Sequence, residues 1–469
     1  MESKTEKRAK YINSLLLGRK RDIKYEMSNT QPGLVNTEAE EYIDIDQGND
    51  QSEKEDESVI PMIQELRTET TESKEETLTD ILDCYNSNFL HDFNPQHHIP
   101  YLDFFLQHTL PPQMLALDAS QPWMVYWLVN SLYIMQNGNI GDELRSRIKD
   151  KFIVQSSVSP FSALPRPASF GPFAGGIMQY PHLASNYAAI LSLVLCEDEE
   201  VLSKIDKDYV YEWLMSLKLP DGSFETCEKC GETDTRGVYC ALSIASLLGI
   251  MSEELVENSL DFLIKCQAYE GGFGGRPFEE AHGGYTFCAL ASLVIIIDYL
   301  HGAKKTLNNF IDVDMLLRWI SARQDNEAFG LNGRSNKLVD GCYSFWIGGT
   351  GSILEAYGYT NPIDKEKLRA YILQCCQSDE FPGLRDKPGM RSDFYHTNYV
   401  LLGLCCVDSQ FSLNNENHST FSIEATLRNS KDIPGVAKIN PIYGLPCSII
   451  AKVYSWLSQE DKEKNENAI

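Results

Sequence analysis

A chain of 469 residues, 43% of them hydrophobic, has apolar material for one large domain or a few ordinary ones. Its formal net charge of −26 argues against a nucleic-acid partner, whose phosphates it would repel, but leaves room for a local basic pocket. Thirteen cysteines, with adjacent pairs at Cys375–Cys376 and Cys405–Cys406 inside apolar runs, and a first segment MESKTEKRAK without an apolar core, predict reduced thiols and a cytoplasmic protein.

Residues 1–77 are polar, first basic and then acidic. Residues 38–76 hold 15 Asp/Glu against 3 Lys/Arg, and that net of −12 (3 − 15) is nearly half the total excess. Such a balance predicts a mostly disordered extension, with one short helix over Tyr11–Arg19. From Leu78 apolar residues recur at helical spacing through Ile81, Leu82, Tyr85 and Phe89. His91, His97 and His98 then fall in a Pro-flanked stretch. With no carboxylate or thiol at ligand spacing, they read as a polar surface loop. YLDFFL at 101–106 starts another helix. In ASQPWMVYWLVNSL, Ala119–Leu132, Ser120 suits a cap, Pro122 the first turn, and Trp123 and Trp127 share a face. That stripe suits core packing or the wall of an apolar pocket. Residues 156–181 read as a long loop, followed by an apolar helix over His182–Cys196 that contains Tyr187. The longest apolar stretch, near Cys288–Ile297, is too short to span a bilayer, and KNENAI at the C-terminus is no prenylation box. Residues 459–469 read as a polar tail.

A unit recurs through the second half. Turns with Gly and Phe, at Asp221–Phe224, Glu270–Gly275, Glu327–Leu331 and Phe381–Leu384, precede helix starts at Arg236–Leu242, His282–Leu290, Asp340–Trp346 and Asp393–Tyr399. Aligned on Tyr187, Tyr239, Tyr285, Tyr343 and His396, the units are 52, 46, 58 and 53 residues apart. A second helix lies between markers, as at Ser252–Cys266 and Asp312–Arg323. A period near fifty with two helices per unit predicts an all-α repeat array, either an open solenoid or a closed ring with one helix of each pair inside. In a ring, the turns and inner-helix starts gather at one end of a central cavity.

That end collects chemistry. Asp340 and Cys342, one residue apart, and His396 in DFYH form a mixed oxygen, sulfur and nitrogen set that suits zinc, with a fourth tetrahedral position left for water or substrate. Arg334 and Lys337 suit a phosphate or diphosphate. Alone, an Asp-x-Cys pair is weak evidence, since it is more often a helix cap beside a buried thiol. The repeat is what joins it to His396.

DGCYSFW, EAHGGYTFCAL and DFYHTNY, on this repeat, resemble the β subunits of protein prenyltransferases over roughly residues 78–458. The resemblance implies an α-α barrel of six inner and six outer helices, paired with a helical α subunit. It implies transfer of an isoprenoid from its diphosphate to a cysteine near the C-terminus of a protein, such as a small GTPase ending in CaaX. It implies one Zn2+ on Asp340, Cys342 and His396. Diphosphate contacts fall on His282, Arg334, Lys337 and Tyr343. Isoprenoid-wall positions fall on Trp123, Tyr187, Arg236, Tyr239, Tyr285, Cys288 and Trp346, and peptide-side aromatics on Trp123, Trp127 and Tyr395. Bulky Trp123 and Tyr399, which shorten the pocket, and Asp386 in DKPG, where the family places a Mg2+ ligand, favour farnesyl diphosphate over geranylgeranyl diphosphate.

The chain departs from the family in three places. Ser159–Gly176 replaces the first glycine-rich turn, NEAFGLNG lacks a glycine, and Met390 stands where Lys is common. The alternatives are a type I geranylgeranyltransferase β subunit and a non-catalytic helical-repeat scaffold for peptides. The scaffold reading leaves the gathered Asp, Cys, His, Arg and Lys unexplained. A terpene-cyclase relative would carry DxDD or DDxxD, and the sequence has neither. Cys227 and Cys230 form a CxxC without a second pair nearby and read as exposed thiols.

Overall fold

The computed structural model describes residues 68–87, 92–156, 170–228, 231–302, 306–414, 419–428 and 434–467. These lie in one compact unit, Thr68–Ile469. The expected helix at Tyr11–Arg19, His91, Cys230 and most of Ser159–Gly176 fall outside the described residues.

Helix α1 (Glu69–Asn86) starts ahead of the boundary expected at Leu78. Thr68 caps it by accepting the Thr71 N–H, and Glu69 and Glu72 suit the positive end of the helix. Pro95 opens α2 (Pro95–Gln107), where its missing N–H costs nothing. His97 and His98 are therefore helical, and His98 is fully buried instead of lying in a surface loop. Burial is tolerated because both ring nitrogens have partners: Nδ1 accepts the Gly383 N–H at 3.0 Å, and Nε2 donates to Gln377 Oε1 at 3.1 Å.

Helices then alternate. In chain order they are α3 (Gln121–Met135), α4 (Asp142–Ser156), α5 (Leu183–Leu195), α6 (Lys207–Leu217), α7 (Thr235–Leu248), α8 (Ser259–Lys265), α9 (Gly283–His301), α10 (Val313–Ser321), α11 (Tyr343–Ala356), α12 (Lys365–Tyr371), α13 (Phe394–Val407) and α14 (Cys447–Asn467). A π-helical turn, Ile372–Cys376, extends α12. Inner helices pack in the order α3, α5, α7, α9, α11, α13, and α13 returns to α3, so the ring is closed. Each outer helix, α2, α4, α6, α8, α10 or α12, packs on the inner helix that follows it. The described residues thus form the expected six-plus-six barrel. Two small antiparallel pairs, β1 (Ser409–Leu413) with β2 (Ile423–Leu427) and β3 (Ile439–Asn440) with β4 (Leu445–Pro446), lead into α14. That helix runs through Asn467, well into the stretch read as a polar tail.

Sequence explains the two layers. Outer helices are amphipathic: α10 buries Val313, Leu316, Trp319 and Ile320, one helical face, and turns Asp314 and Arg318 away from it. Inner helices are buried nearly all round, as in α7, where every residue but Arg236 is buried. Helix α9 is long and apolar enough to cross a membrane by length and composition, contrary to the shorter stretch read from sequence. It is an inner helix of the ring, with 72% of its apolar window buried in the protein.

The turns repeat in detail. Antiparallel bridges close them at Lys218 with Phe224, Gln267 with Phe273 and Gln324 with Leu331. Gly271 has φ 107° and lies so close to α10 that a Cβ would stand 2.1 Å from the Met315 carbonyl oxygen. In the third turn, Glu327–Leu331, which lacks that glycine, Phe329 takes φ 62° and stacks on Tyr85 at 5.2 Å. The side chains of Asn186, Thr286 and Thr397 bond the backbone N–H and C=O of Phe173, Phe273 and Leu384, thirteen residues back in each case.

Candidate functional site

The inner helices begin alike. His182, Asp234 and His282 each accept, through a side-chain atom, the N–H two residues on. Asp340 does the same for Cys342 at 2.8 Å, and Asp393 reaches the N–H of His396 at 2.7 Å. These caps hold the first turns of successive inner helices, and the side chains there, at one end of the ring. Counted from the cap, Tyr285, Tyr343 and His396 occupy the third position. Tyr187 and Tyr239 occupy the fifth, with Phe287 and Phe345. An alignment on all five markers is therefore two residues out for Tyr187 and Tyr239, whose caps are His182 and Asp234.

Asp340, Cys342 and His396 come together. One ligand atom from each lies within 4.8 Å of the others. His396 Nε2 is 3.3 Å from Asp340 Oδ1, and its Nδ1 is 2.7 Å from Asp393 Oδ2. Burial works against charge on Asp340, but the His396 contact and the Cys342 N–H hold its carboxyl below the ordinary range. Burial also works against charge on His396, and the two carboxylates outweigh it, raising the imidazole to about 10. Burial and the Asp340 charge push the Cys342 thiol well up. An oxygen, a sulfur and a nitrogen converging, with a carboxylate behind the histidine to orient its ring, fit a tetrahedral zinc site with one open position.

Beside this cluster lies a cavity of about 410 Å3. An unbroken circuit of rings runs round it: Trp123 to Tyr187 (5.5 Å between centroids), Tyr239 (5.3 Å), Phe287 (5.5 Å), Trp346 (5.2 Å), Tyr399 (4.3 Å), Tyr395 (4.9 Å), Trp127 (5.5 Å) and back to Trp123 (5.5 Å). All of these but Phe287 line the cavity, with Cys288 and Arg236. Several of the phenol and indole polar atoms are turned to one another or to backbone, which leaves those ring faces apolar. Trp346 Nε1 donates to the Tyr395 hydroxyl at 2.8 Å, and the Tyr239 hydroxyl donates to the Ile442 carbonyl at 2.7 Å.

At the mouth, His282 Nδ1 accepts the Gly284 N–H, so its Nε2 carries the proton and donates to the Tyr343 oxygen at 3.0 Å. The Tyr343 hydroxyl proton is left to donate elsewhere. Burial, then Arg334 and Arg236, lower the His282 pKa and keep the ring neutral. Both His282 and Tyr343 line the cavity. Arg334, Lys337 and Tyr285 are not among the lining residues. Arg334 pairs with Glu280 at 3.1 Å, Lys337 borders a cleft with Lys74 and Asp325, and Tyr285 lies under the Arg236 guanidinium at 5.2 Å. Asp386 is tied to the metal-suited cluster by its carbonyl, which accepts the Gly341 N–H at 2.8 Å. Its Oδ2 pairs with Lys387, while its buried Oδ1 has no partner in the protein; burial, then the Asp340 charge, raise its pKa. A buried carboxylate oxygen without a donor suits a hard cation such as Mg2+.

Two contributors escaped the sequence reading. His182 lines the cavity from the cap position that His282 occupies one hundred residues later, a signal visible once caps are aligned. Phe287 completes the ring circuit, but in sequence it is one apolar residue among many in α9.

The sequence and the fold have counterparts among known proteins. The model of the prenyltransferase alpha-alpha toroid domain matches residues 93–445. The chain is 46% identical to protein farnesyltransferase subunit beta of Saccharomyces cerevisiae over 95% of each chain. It is 40% identical to protein farnesyltransferase subunit beta of Schizosaccharomyces pombe over 85% of this chain and 99% of that one. The structure of Candida albicans protein geranylgeranyltransferase-I complexed with GGPP superposes with a TM-score of 0.62 at 20% identity, over 78% of this chain and 99% of that chain, a likeness of fold. The chain is therefore a prenyltransferase toroid that belongs to the protein farnesyltransferase β-subunit family.

Proposed function

We propose that this protein is the catalytic β subunit of a cytosolic protein farnesyltransferase, and that it acts with an α subunit. It moves a farnesyl group from farnesyl diphosphate to the cysteine thiol of a protein ending in CaaX. The observation that carries this reading is the convergence of Asp340, Cys342 and His396 beside an aromatic-walled cavity whose mouth holds His282 and Tyr343.

Asp340, Cys342 and His396 would hold zinc, which would supply the acidity that favours the acceptor thiolate at neutral pH, where a free cysteine, with a pKa of about 8.5, is mostly protonated. The ring circuit accepts the isoprenoid chain and excludes water from it. The ring faces, negative at their centres, favour the positive charge that develops on the allylic carbon. As sulfur bonds to that carbon, the carbon–oxygen bond breaks and the diphosphate leaves with its electron pair. The Tyr343 hydroxyl, with Arg334, Lys337 and Arg236, stabilises the charge on the departing oxygens, and His282 orients Tyr343. Mg2+ at Asp386 would share that charge. Trp127 and Tyr395 suit the apolar residues of the acceptor tail, and Trp123 and Tyr399 limit the cavity to a C15 chain.

The test is transfer to CaaX peptides by this chain co-expressed with the α subunit. Farnesyl and geranylgeranyl diphosphate compete as donors, before and after chelation and zinc return. Farnesyl transfer that zinc restores is the expected result, with Cys342→Ala inactive yet still binding farnesyl diphosphate. Geranylgeranyl transfer would overturn the pocket assignment, and no transfer by a zinc-loaded heterodimer would overturn the function.

A further inference from the structure

We propose that Glu270, Trp319 and Arg323 form a concealed brace that positions the two sides of the diphosphate-binding mouth, an inference that rests on the function proposed above. None of the three lines the cavity. Trp319, on outer helix α10, is 3% exposed, and Arg323, just beyond that helix, is 5% exposed. One arm of the brace runs to the turn before α9. Trp319 Nε1 donates to Glu270 Oε2 at 3.2 Å, and Glu270 Oε1 accepts the N–H of Ala281, the residue before His282, at 3.1 Å. Gly272 lies against the same indole, where a Cβ would come within 2.6 Å of the ring. The other arm runs to the loop before α11. The Arg323 guanidinium sits over the Trp319 ring at 5.0 Å and donates through Nη2 to Ser335 Oγ at 3.1 Å. Its carbonyl accepts the Asn332 N–H at 3.0 Å. Ser335 stands between Arg334 and Lys337.

The cost of this arrangement argues for its purpose. A buried guanidinium loses hydration, and Arg323 Nε and Nη1 have no hydrogen-bond partner in the protein. An apolar side chain would pack the site more cheaply. What the arginine adds is a fixed link between an outer helix and the loop that carries Arg334, part-exposed and paired with Glu280, and the exposed Lys337. Through the shared indole, His282 on one side and Arg334 with Lys337 on the other keep a set separation before the ligand arrives, so less reorganisation is needed when charge develops on the diphosphate.

The test uses the full chain with its α subunit and compares Ser335→Ala, Arg323→Ala and Lys337→Ala, singly and in pairs. Readouts are kcat, affinity for farnesyl diphosphate, affinity for farnesyl monophosphate, and peptide KM. Ser335→Ala and Arg323→Ala should each lower kcat and farnesyl diphosphate affinity by about tenfold, the size of one lost charge-assisted hydrogen bond. The monophosphate should lose less, and peptide KM should not move. In the Lys337→Ala background the Arg323→Ala loss should shrink below its full size, to the part that acts through Arg334 and His282, since a positioning residue acts through what it positions. A full, additive loss in that background, or loss of peptide affinity to the same degree, assigns the three residues to general stability and overturns the brace. If Arg323→Ala does not fold, Ser335→Ala, with an exposed side chain, carries the same test alone and paired with Lys337→Ala. Wild-type protein that fails to bind farnesyl diphosphate refutes the proposed function and the brace with it; wild-type binding with unaffected variants refutes the brace alone.

Discussion

In the function proposed above, Trp123 limits the length of the isoprenoid chain. Its ring lies 5.5 Å from both Trp127 and Tyr187 and lines the cavity. Replacing the indole by a threonine side chain lengthens that cavity without touching the metal-suited cluster. A further C5 unit then has somewhere to go, and at about 0.8 kcal/mol per buried carbon it is worth up to roughly 4 kcal/mol. Trp123→Thr should therefore raise the geranylgeranyl-to-farnesyl ratio in a competition assay by at least about tenfold; an unchanged ratio would move the chain-length limit elsewhere in the ring circuit. Trp123 was legible in the sequence because tryptophans four apart at a helix start are conspicuous. Asp340, Cys342 and His396 were legible because their chemistry is unlike that of their neighbours and the repeat puts all three at inner-helix starts. Arg323 and Glu270 were not. Their role lies in burial and in contacts between units, and neither leaves a local pattern in the chain.

At the scale of the element, the unit is a turn, an inner helix and an outer helix, joined where the turn glycine meets the next outer helix. Gly271 shows why the position is restricted. Its φ of 107° is open to glycine alone, and a Cβ there would overlap the Met315 carbonyl of α10. Gly271→Ala should destabilise the fold by more than about 2 kcal/mol, read as a lowered urea midpoint, because strain and a backbone clash act together. A loss below about 0.5 kcal/mol would mean that the turn and α10 separate easily. Helix count and the alternation of layers follow from periodicity, which is why the six-plus-six ring could be expected. Boundaries did not follow as well. The start of α1 rests on the Thr68 cap inside an acidic run, and the register of the repeat rests on caps that are Asp in some units and His in others. The third turn also resists reading, since Phe329 holds a left-handed conformation and the Tyr85 stack from α1 supplies packing there.

A ring must also close, and here the first and last units meet through His98. From α2 it bonds Gly383, in the turn before α13, and Gln377, which in turn donates to the Asp92 carbonyl at 3.1 Å and accepts the Asn94 N–H at 3.1 Å. A second link joins the inner layer, where Asn130 of α3 donates to Asn398 of α13 at 2.9 Å. Burial lowers the His98 pKa to about 4, with the Gln377 bond opposing and the neighbouring His97 adding to the shift. Protonation would put a charge in a site that, among the described residues, has no acid acting on it, and would remove the acceptor that Gly383 uses. Because the folded pKa is depressed, the neutral ring's contribution is full above the unfolded value near 6.5 and is lost as pH falls toward 4. Across that window the clasp alone should cost up to about 3 kcal/mol of stability. Urea unfolding should give a midpoint that declines from pH 7 to pH 5, and His98→Gln, which cannot titrate, should show a shallower decline from a lower start. Parallel slopes for the two proteins would mean that the acid sensitivity of the ring lies elsewhere, and that its closure depends on the α3–α13 contact more than on this histidine.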